Sequence, residues 1–355
     1  MRNSGDTMKA AVYYGPKDIR VEEVPKPQPD AADVLIKVKA VLICGSDLAG
    51  YARGKFIPPG QIMGHEFSGE IVEVGKDVKD LSPGERVSAI GFLICGECFW
   101  CKRKQYHLCP LLFTENPAYG KPGAFAEYVK IPRAVVKRNV FKLPDDVSFE
   151  EGAALEPLSV ACFAVSKARP EPGNSILVLG AGMIGLSIAA VLKVTGEYRV
   201  MVSDISLKRL GAAQKIGVDA VMNPDREDIF QRVKEQAGEG KYHFGVGSMT
   251  DIIMECAGTP QTIHQALQLV RSGGKVLLVG TYKNEVTVNL NLLIHKDISL
   301  IGCLGGLMKQ ALSLVAQHKV ALKDFFTHTF SLDQIREAFE TQADAGKSIK
   351  VIINP

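Results

Sequence analysis

The chain has 355 residues, 46% of them hydrophobic, which is enough for about two domains with a sizeable core. Its 42 basic and 39 acidic side chains leave a formal charge of +3, which offers no basic stripe for nucleic acid and no polybasic tail for a membrane. The amino-terminal segment lacks the apolar core of a secretory signal, and no apolar run reaches the ~18 residues of a membrane helix, so a cytoplasmic protein is expected.

In chain order, the first half alternates β-type runs with Gly/Pro turns: "MKAAVYYGPKDIRVEEVPKPQP", "DVLIKVKAVLI", "FSGEIVEVG", "GERVSAIG" and "AFAEYVKIP". Short strands with frequent punctuation predict a partly open β-barrel. Polar residues interrupt the apolar segments: Cys44 and Ser46 in "LICGSD", His65 and Glu66 in "MGHEF", Glu156 in "LEPLSV". Such groups are costly to bury unless they are paired or bind metal. Cys44 and His65 are ligand types suited to zinc, and with a carboxylate they could converge on one ion. Each also has an ordinary reading. Cys44 fits as a small core residue, His65–Glu66 as a solvated pair, Glu156 as a helix-cap partner and Ser46 as a turn hydroxyl. Spacing leaves both readings open.

Between these segments, "CGECFWCKRKQYHLC" holds four of the eight cysteines, Cys95, Cys98, Cys101 and Cys109. Two-residue gaps let successive thiolates curl around one small ion, and four sulfurs complete tetrahedral zinc. Closed coordination leaves no position for substrate, so this zinc is expected to brace a loop. A disulfide reading is weak in a reducing compartment. A zinc ribbon gripping nucleic acid would need a basic surface that the chain lacks.

Around "SFEEGAALEPLSVACFAVSKA" the texture becomes helical, and from Ser175 it alternates strand and helix. The apolar strands are "SILVLG", "YRVMVSD", "DAVMN", "DIIMECAG", "GKVLLVG" and "ISLIGCLGG", with helices at 183–194, 207–216, 262–270 and 308–317. This predicts a doubly wound parallel sheet with both faces covered. "LGAGMIG" places Gly180, Gly182 and Gly185 as G-x-G-x-x-G between a strand and a helix, the context a dinucleotide site requires. Asp204 ends the next strand at the ~20-residue spacing of a ribose-binding carboxylate. It would repel a 2′-phosphate, favouring NAD, although Lys208 and Arg209 stand close enough to weaken that preference. Its ordinary reading is a cap for the helix that follows. Ile184 is expected to pack while touching the cofactor. The last segment holds a helix capped by Ser331 and Asp333, then a final strand.

Taken together, Cys44-Gly45-Ser46-Asp47, "GHEFSGEIVEVG", the four-cysteine lobe, "GAFAEYV" and "LGAGMIG" resemble the zinc-dependent medium-chain dehydrogenases. Glu156 in "LEPLSVA" is similar to the polyol (sorbitol) and threonine dehydrogenase branch, and the likeness runs from Met8 onward. The resemblance implies an α/β chain with a GroES-like β-barrel catalytic domain over 8–158 and 305–355. A Rossmann NAD-binding domain would span 159–304. It implies two Zn²⁺ per chain, with Cys44, His65 and a carboxylate at the catalytic ion. Either Glu66 or Glu156 fills the carboxylate role, and sequence does not separate them. It gives Ser46 the start of a proton relay, and adds Arg209, Val279 and Gly280 to the cofactor contacts.

The implied reaction moves a hydride between NAD and a secondary alcohol: a polyol, sugar alcohol, cyclitol or sugar-alcohol phosphate. The alternatives are L-threonine 3-dehydrogenase-like or butanediol dehydrogenase-like oxidation, and a dinucleotide-binding protein without catalysis, which need not retain a metal site. The resemblance also implies a homodimer or homotetramer that pairs the strand "DISLIGCLGG". Two departures bear on substrate and mechanism. Relatives carry His where this chain has Ala49, and sorbitol dehydrogenases carry a substrate-binding Arg where it has Cys303 and Gly305. Tyr51, Phe92, Glu115 and Tyr119 are candidates to line the pocket, each also readable as a packing or loop residue. Cys162 and Cys256 read as small core residues.

Overall fold

A computed structural model describes residues 7–54, 57–91, 93–114 and 116–355; Phe92 and Glu115 therefore lie outside the described residues. The chain divides into two compact units. One comprises Met1–Glu156, Met308–His318 and Phe326–Pro355, and the other Pro157–Leu307 and Lys319–Phe325.

The first unit starts with a hairpin, β1 (Thr7–Gly15) against β2 (Asp18–Pro25), followed by β3 (Val34–Leu42). Helix α1 (Gly45–Arg53) leads to the two-residue β4 (Gln61–Ile62), then β5 (Glu66–Val74) and β6 (Arg86–Ala89). The four-residue α2 (Phe99–Lys102) lies in the cysteine lobe, before β7 (Tyr128–Ile131) and β8 (Val140–Lys142). Strand β3 is the spine of this unit. Its apolar residues Val34, Ile36, Val38 and Val41 are fully or almost fully buried, and it pairs with β5 and β7. With Phe67, Ile71, Phe125 and Phe339 they form one core. Burying such side chains stabilises by about 1.5–3 kcal/mol each, which fixes the register of β3 on β5.

The short α3 (Phe149–Ala153) precedes α4 (Leu155–Ala168), and the unit boundary falls inside α4 between Glu156 and Pro157. The second unit then alternates: β9 (Ser175–Leu179), α5 (Met183–Thr195), β10 (Arg199–Ser203), α6 (Leu207–Ile216), β11 (Ala220–Met222), α7 (Ile229–Ala237). A hairpin of β12 (Glu239–Tyr242) and β13 (Gly245–Ser248) precedes β14 (Thr250–Glu255). Then come α8 (Pro260–Leu269), β15 (Val270–Leu278), α9 (Leu290–His295) and β16 (Ser299–Gly302).

The six strands anticipated from apolar runs all lie in one parallel sheet, in the order β11-β10-β9-β14-β15-β16. Chain order reverses between β9 and β14, which creates the switch point where doubly wound folds bind dinucleotides. The hairpin between α7 and β14 forms its own two-stranded sheet.

The chain closes with α10 (Met308–Ala316), β17 (Phe326–Ser331), α11 (Ile335–Ala343) and β18 (Lys350–Asn354). Strand β18 runs antiparallel to β3, with Ile352 opposite Leu42 and Ile353 opposite Val41. The expected caps fall one turn early: Ser331 closes a capping box with Gln334 on the 3₁₀ turn Leu332–Gln334, α11 itself starts from Gln334 without a side-chain cap, and Asp333 is exposed and pairs with Lys9 at 3.2 Å. Among the described residues, no helix is long and apolar enough to cross a membrane.

Candidate functional site

Two pairings of β3, with β5 and with β18, bring the first cluster together. Leu42 stands opposite Glu66 across β3 and β5, so Cys44, two residues on, faces His65 and Glu66 at the start of the partner strand. The Cys44 thiol, an His65 ring nitrogen and a Glu66 carboxylate oxygen lie within 4.8 Å of one another. Their residues are half-buried, 9% exposed and 1% exposed respectively. Asp47 fixes the backbone here: its Oδ2 accepts from the Cys44 N–H at 2.9 Å, and its Oδ1 stands 3.7 Å from His65 Nδ1.

Lys350 arrives from β18. Its Nζ donates to the Ile43 carbonyl at 2.9 Å and stands 2.5 Å from Glu66 Oε2. This close ion pair joins two side chains that are both almost wholly buried.

Glu156 lies outside the 4.8 Å trio, but within electrostatic reach of it. It keeps a part of its surface open to solvent, yet dense packing pushes its carboxyl up to about 7; His65 opposes that rise and Glu66 reinforces it. Burial likewise raises the Asp47 carboxyl, against the pull of His65 and the Cys44 N–H. Burial pulls the His65 imidazole down, but Tyr119, Asp47 and Cys44 outweigh it and raise the group well above its ordinary value. His65 Nδ1 is buried with no hydrogen-bond partner. A buried, orphaned imidazole nitrogen amid a thiol and several carboxyls suits a divalent cation, and this N/S/O donor set is the one zinc prefers.

Ser46, on the first turn of α1, accepts a hydrogen bond from Tyr119 OH at 2.9 Å. The Tyr119 ring lies 5.3 Å from the His65 ring, and burial pushes its phenol up to about 12. Tyr51, by contrast, is 8% exposed and stacks on Phe339 with ring centroids 4.6 Å apart, which makes it a core residue.

In the lobe, the sulfurs of Cys95, Cys98, Cys101 and Cys109 also lie within 4.8 Å of one another. Sulfur–sulfur distances are 3.9 Å for Cys95–Cys101 and 3.7 Å for Cys95–Cys109. Four thiolates at about 2.3 Å from one tetrahedral zinc would stand about 3.8 Å apart, whereas a disulfide needs about 2.05 Å. Main-chain N–H groups already point at the sulfurs: Cys95 N to Cys109 Sγ at 3.3 Å, Cys98 N to Cys95 Sγ at 3.3 Å, Cys101 N to Cys98 Sγ at 3.4 Å. The Cys98 N–H, with that of Glu97, draws the Cys95 thiol down to about 7, towards the ligating thiolate.

The second unit carries the glycine loop. Gly180 adopts φ +97°, and a Cβ at Gly185 would stand 1.8 Å from Gly180 O, so helix and strand pack only through glycine there. At Gly182 the nearest protein atom to such a Cβ is Arg209 Nη1 at 3.9 Å. The protein does not need glycine at 182; the open approach suits a pyrophosphate at the amino terminus of α5. Ile184 is half-buried on the first turn of α5. Asp204 takes the Ala181 N–H at 2.6 Å and the Ser206 N–H at 2.8 Å, with Arg209 Nη1 3.9 Å away. The cap of α6 is Ser206, whose side chain accepts from Arg209 N, so Asp204 is not the cap.

Val279 and Gly280 both donate to the Glu255 carbonyl at 2.9 Å. Sequence reasoning missed Glu255 itself. It is fully buried and accepts from Ala257 N, Gly258 N, Thr262 Oγ1 and Tyr282 OH at 2.7–3.0 Å. It also missed Lys350, whose only sequence signal is a lone charge opening an apolar terminal strand.

Comparison with known proteins converges on the same elements. The alcohol dehydrogenase GroES-like domain matches residues 30–145, and the zinc-binding dehydrogenase domain matches residues 183–317. Sorbitol dehydrogenase of Bacillus subtilis (strain 168) is 34% identical over 98% of this chain and 97% of its own. L-threonine 3-dehydrogenase of Thermococcus kodakarensis is 38% identical, again over 98% and 97%. The chain belongs to the zinc-dependent medium-chain dehydrogenase family. A zinc-binding dehydrogenase from Sinorhizobium meliloti 1021, crystallised with NADP, superposes with a TM-score of 0.87 at 29% identity, covering 98% of this chain and 99% of that one. As a family member the protein is an alcohol oxidoreductase, with a GroES-like β-barrel unit and a Rossmann unit.

Proposed function

We propose that this dehydrogenase oxidises secondary alcohols of the polyol class with NAD, using a zinc ion held by Cys44, His65 and Glu66, with Glu156 beside it. The convergence of those three donors within 4.8 Å of one another carries the reading. When bound, zinc supplies a Lewis acid that acidifies an alcohol hydroxyl, and NAD supplies the hydride acceptor.

The chain's own groups do the rest. Lys350 holds Glu66 in place, Asp47 fixes the Cys44 backbone, and Ser46 takes the first proton. Glu156, raised to about 7, exchanges a proton near neutrality and orients the substrate hydroxyl. A second zinc in the four-cysteine lobe is closed to substrate and braces the loop. The first unit acts as the catalytic domain and the second as the cofactor domain. Asp204 takes the ribose hydroxyls and disfavours a 2′-phosphate, with the pyrophosphate over Gly180, Gly182 and Gly185.

Cys303 and Gly305 offer no charged fork to a diol, so sorbitol itself is not the favoured polyol. A second reading, amino-alcohol oxidation, is favoured by the 38% identity with a threonine dehydrogenase. Initial rates with NAD on sorbitol, 2,3-butanediol, cyclitols, galactitol 1-phosphate and L-threonine separate the two. Turnover confined to polyols supports the first reading, and turnover confined to L-threonine replaces it.

Assembly is proposed through β16, the edge strand of its sheet, where Leu300 is 36% exposed and Leu304, two residues past the strand, is 54% exposed. The resulting homodimer or homotetramer acts in the cytoplasm, and sedimentation equilibrium measures its size.

A further inference from the structure

Oxidation of a secondary alcohol sheds a hydride and a proton. The hydride is the cofactor's to take, and the proton must reach water. Ser46 stands on the first turn of α1, two residues after Cys44, and can receive it. The next step is less obvious. Residue 49, three positions on and on the same face of the helix, is alanine and can neither accept nor donate a proton. A relay along α1 therefore stops at Ser46.

The structure offers a different exit. Tyr119 OH is 2.9 Å from Ser46 Oγ, within ordinary O–H···O distance. Both residues are half-buried, so the pair beside the Cys44–His65–Glu66 cluster keeps part of its surface open to solvent. The segment carrying Tyr119 is rigid. The Asn116 carbonyl, in a residue 3% exposed, accepts from the N–H groups of Tyr119, Gly120 and Lys121 at 3.0–3.1 Å. A Cβ at Gly120 would stand 1.7 Å from Thr114 O, and one at Gly91 would stand 1.6 Å from Pro117. The Tyr119 ring is further fixed between His65, at 5.3 Å, and Phe113, at 5.6 Å. Such fixation keeps a phenol hydroxyl on one partner without a large ordering cost.

We propose that Tyr119 is the second member of the proton relay, passing to solvent the proton that Ser46 receives from the alcohol. The inference rests on the dehydrogenase reading above. The balance is simple. The alcohol O–H proton moves to Ser46 Oγ as the Ser46 hydroxyl proton moves to Tyr119, and the Tyr119 hydroxyl proton moves to water. Both hydroxyls end as they began, because each can donate and accept at once. In the reducing direction the same chain runs inward, which is the sense of the bond seen here, with Tyr119 donating to Ser46.

The test uses the zinc-loaded full chain with NAD and whichever of 2,3-butanediol, sorbitol and L-threonine is turned over fastest. Tyr119→Phe, Ser46→Ala and the double variant are compared by stopped flow, following NADH absorbance and, separately, proton release with a pH indicator. Zinc content is measured alongside. Tyr119→Phe should keep the zinc content and KM of the wild type. Its proton release and kcat should fall about tenfold to a hundredfold, with a larger solvent deuterium isotope effect. The double variant should be no slower than Ser46→Ala, because the two groups act in series.

Wild-type proton release in Tyr119→Phe would overturn the relay while leaving the dehydrogenase reading intact. A double variant slowed by the product of the two single effects would overturn it as well. A zinc-loaded wild type that oxidises none of these three alcohols, nor cyclitols or galactitol 1-phosphate, would instead sink the underlying reading, and the relay with it.

Discussion

The Lys350 ammonium stands 2.5 Å from Glu66 Oε2, with side chains only 4% and 1% exposed. One residue thus ties the last strand of the chain to the Glu66 carboxylate and, through the Ile43 carbonyl, to the residue before Cys44. Burying both charges is expensive, and the pair survives because each compensates the other.

Removing one partner should therefore cost more than removing both. Lys350→Met is expected to lower the free energy of unfolding by about 3–5 kcal/mol, because it strands a buried carboxylate. Lys350→Met combined with Glu66→Gln should recover much of that loss. Urea unfolding of the metal-free protein measures both. Equal losses in the single and double variants would show that the pair adds nothing to stability.

The two clusters should release zinc at different rates. Four thiolates close the lobe site, whereas the Cys44–His65–Glu66 site includes an oxygen donor and needs an open position. Mild chelation is expected to abolish activity while about one zinc per chain and the far-ultraviolet circular dichroism remain. Simultaneous loss of both metals with collapse of the spectrum would refute this division.

Asp204→Gly should raise KM for NAD at least about tenfold, the equivalent of one charge-assisted hydrogen bond, and change KM for NADP far less. Because Ser206 holds the cap of α6, thermal stability should fall only modestly. Equal effects on the two cofactors would reduce Asp204 to its observed bonds with Ala181 and Ser206.

Glu156 makes metal-free stability depend on pH. Its carboxyl is raised from 4.5 to about 7 in the fold, so between those values the native state binds more protons than the unfolded one. Stability must then fall as pH rises through that window, by up to about 3 kcal/mol, less whatever solvent screening removes. Glu156→Gln should flatten the profile between pH 4.5 and 7 in the chelated protein. Denaturant titrations across that range check it, and an unchanged slope would contradict the assignment.

Residues differ in how plainly the sequence announces them. The strands of the Rossmann unit are buried on both faces, so each reads as an unbroken apolar run, such as "SILVL" in β9 or "RVMVS" in β10. The β12–β13 hairpin escapes because "EGKY" and "GVGS" hold only two large apolar side chains, Tyr242 and Val246, too few to read as a strand. At the Cys44–His65–Glu66 cluster, ligand types mark Cys44 and His65, but the company they keep does not show. Lys350 meets Ile43 across 307 residues of chain, and Tyr119 meets Ser46 across 73. The register of β3 against β5 and β18 brings Lys350 to Ile43, and a turn closed on the Asn116 carbonyl holds the segment that carries Tyr119 to Ser46. Ser206 takes the α6 cap from Asp204 for a local reason: it lies directly before the first turn, where its hydroxyl reaches Arg209 N.

The most direct measurement is the zinc count per chain, by native mass spectrometry, of the wild type and of His65→Ala, taken with the rate of alcohol oxidation on the same samples. The account predicts two zinc ions and activity in the wild type, and one zinc ion with activity lost but the fold retained in the variant. Two ions in His65→Ala, or full activity with only one, would contradict it.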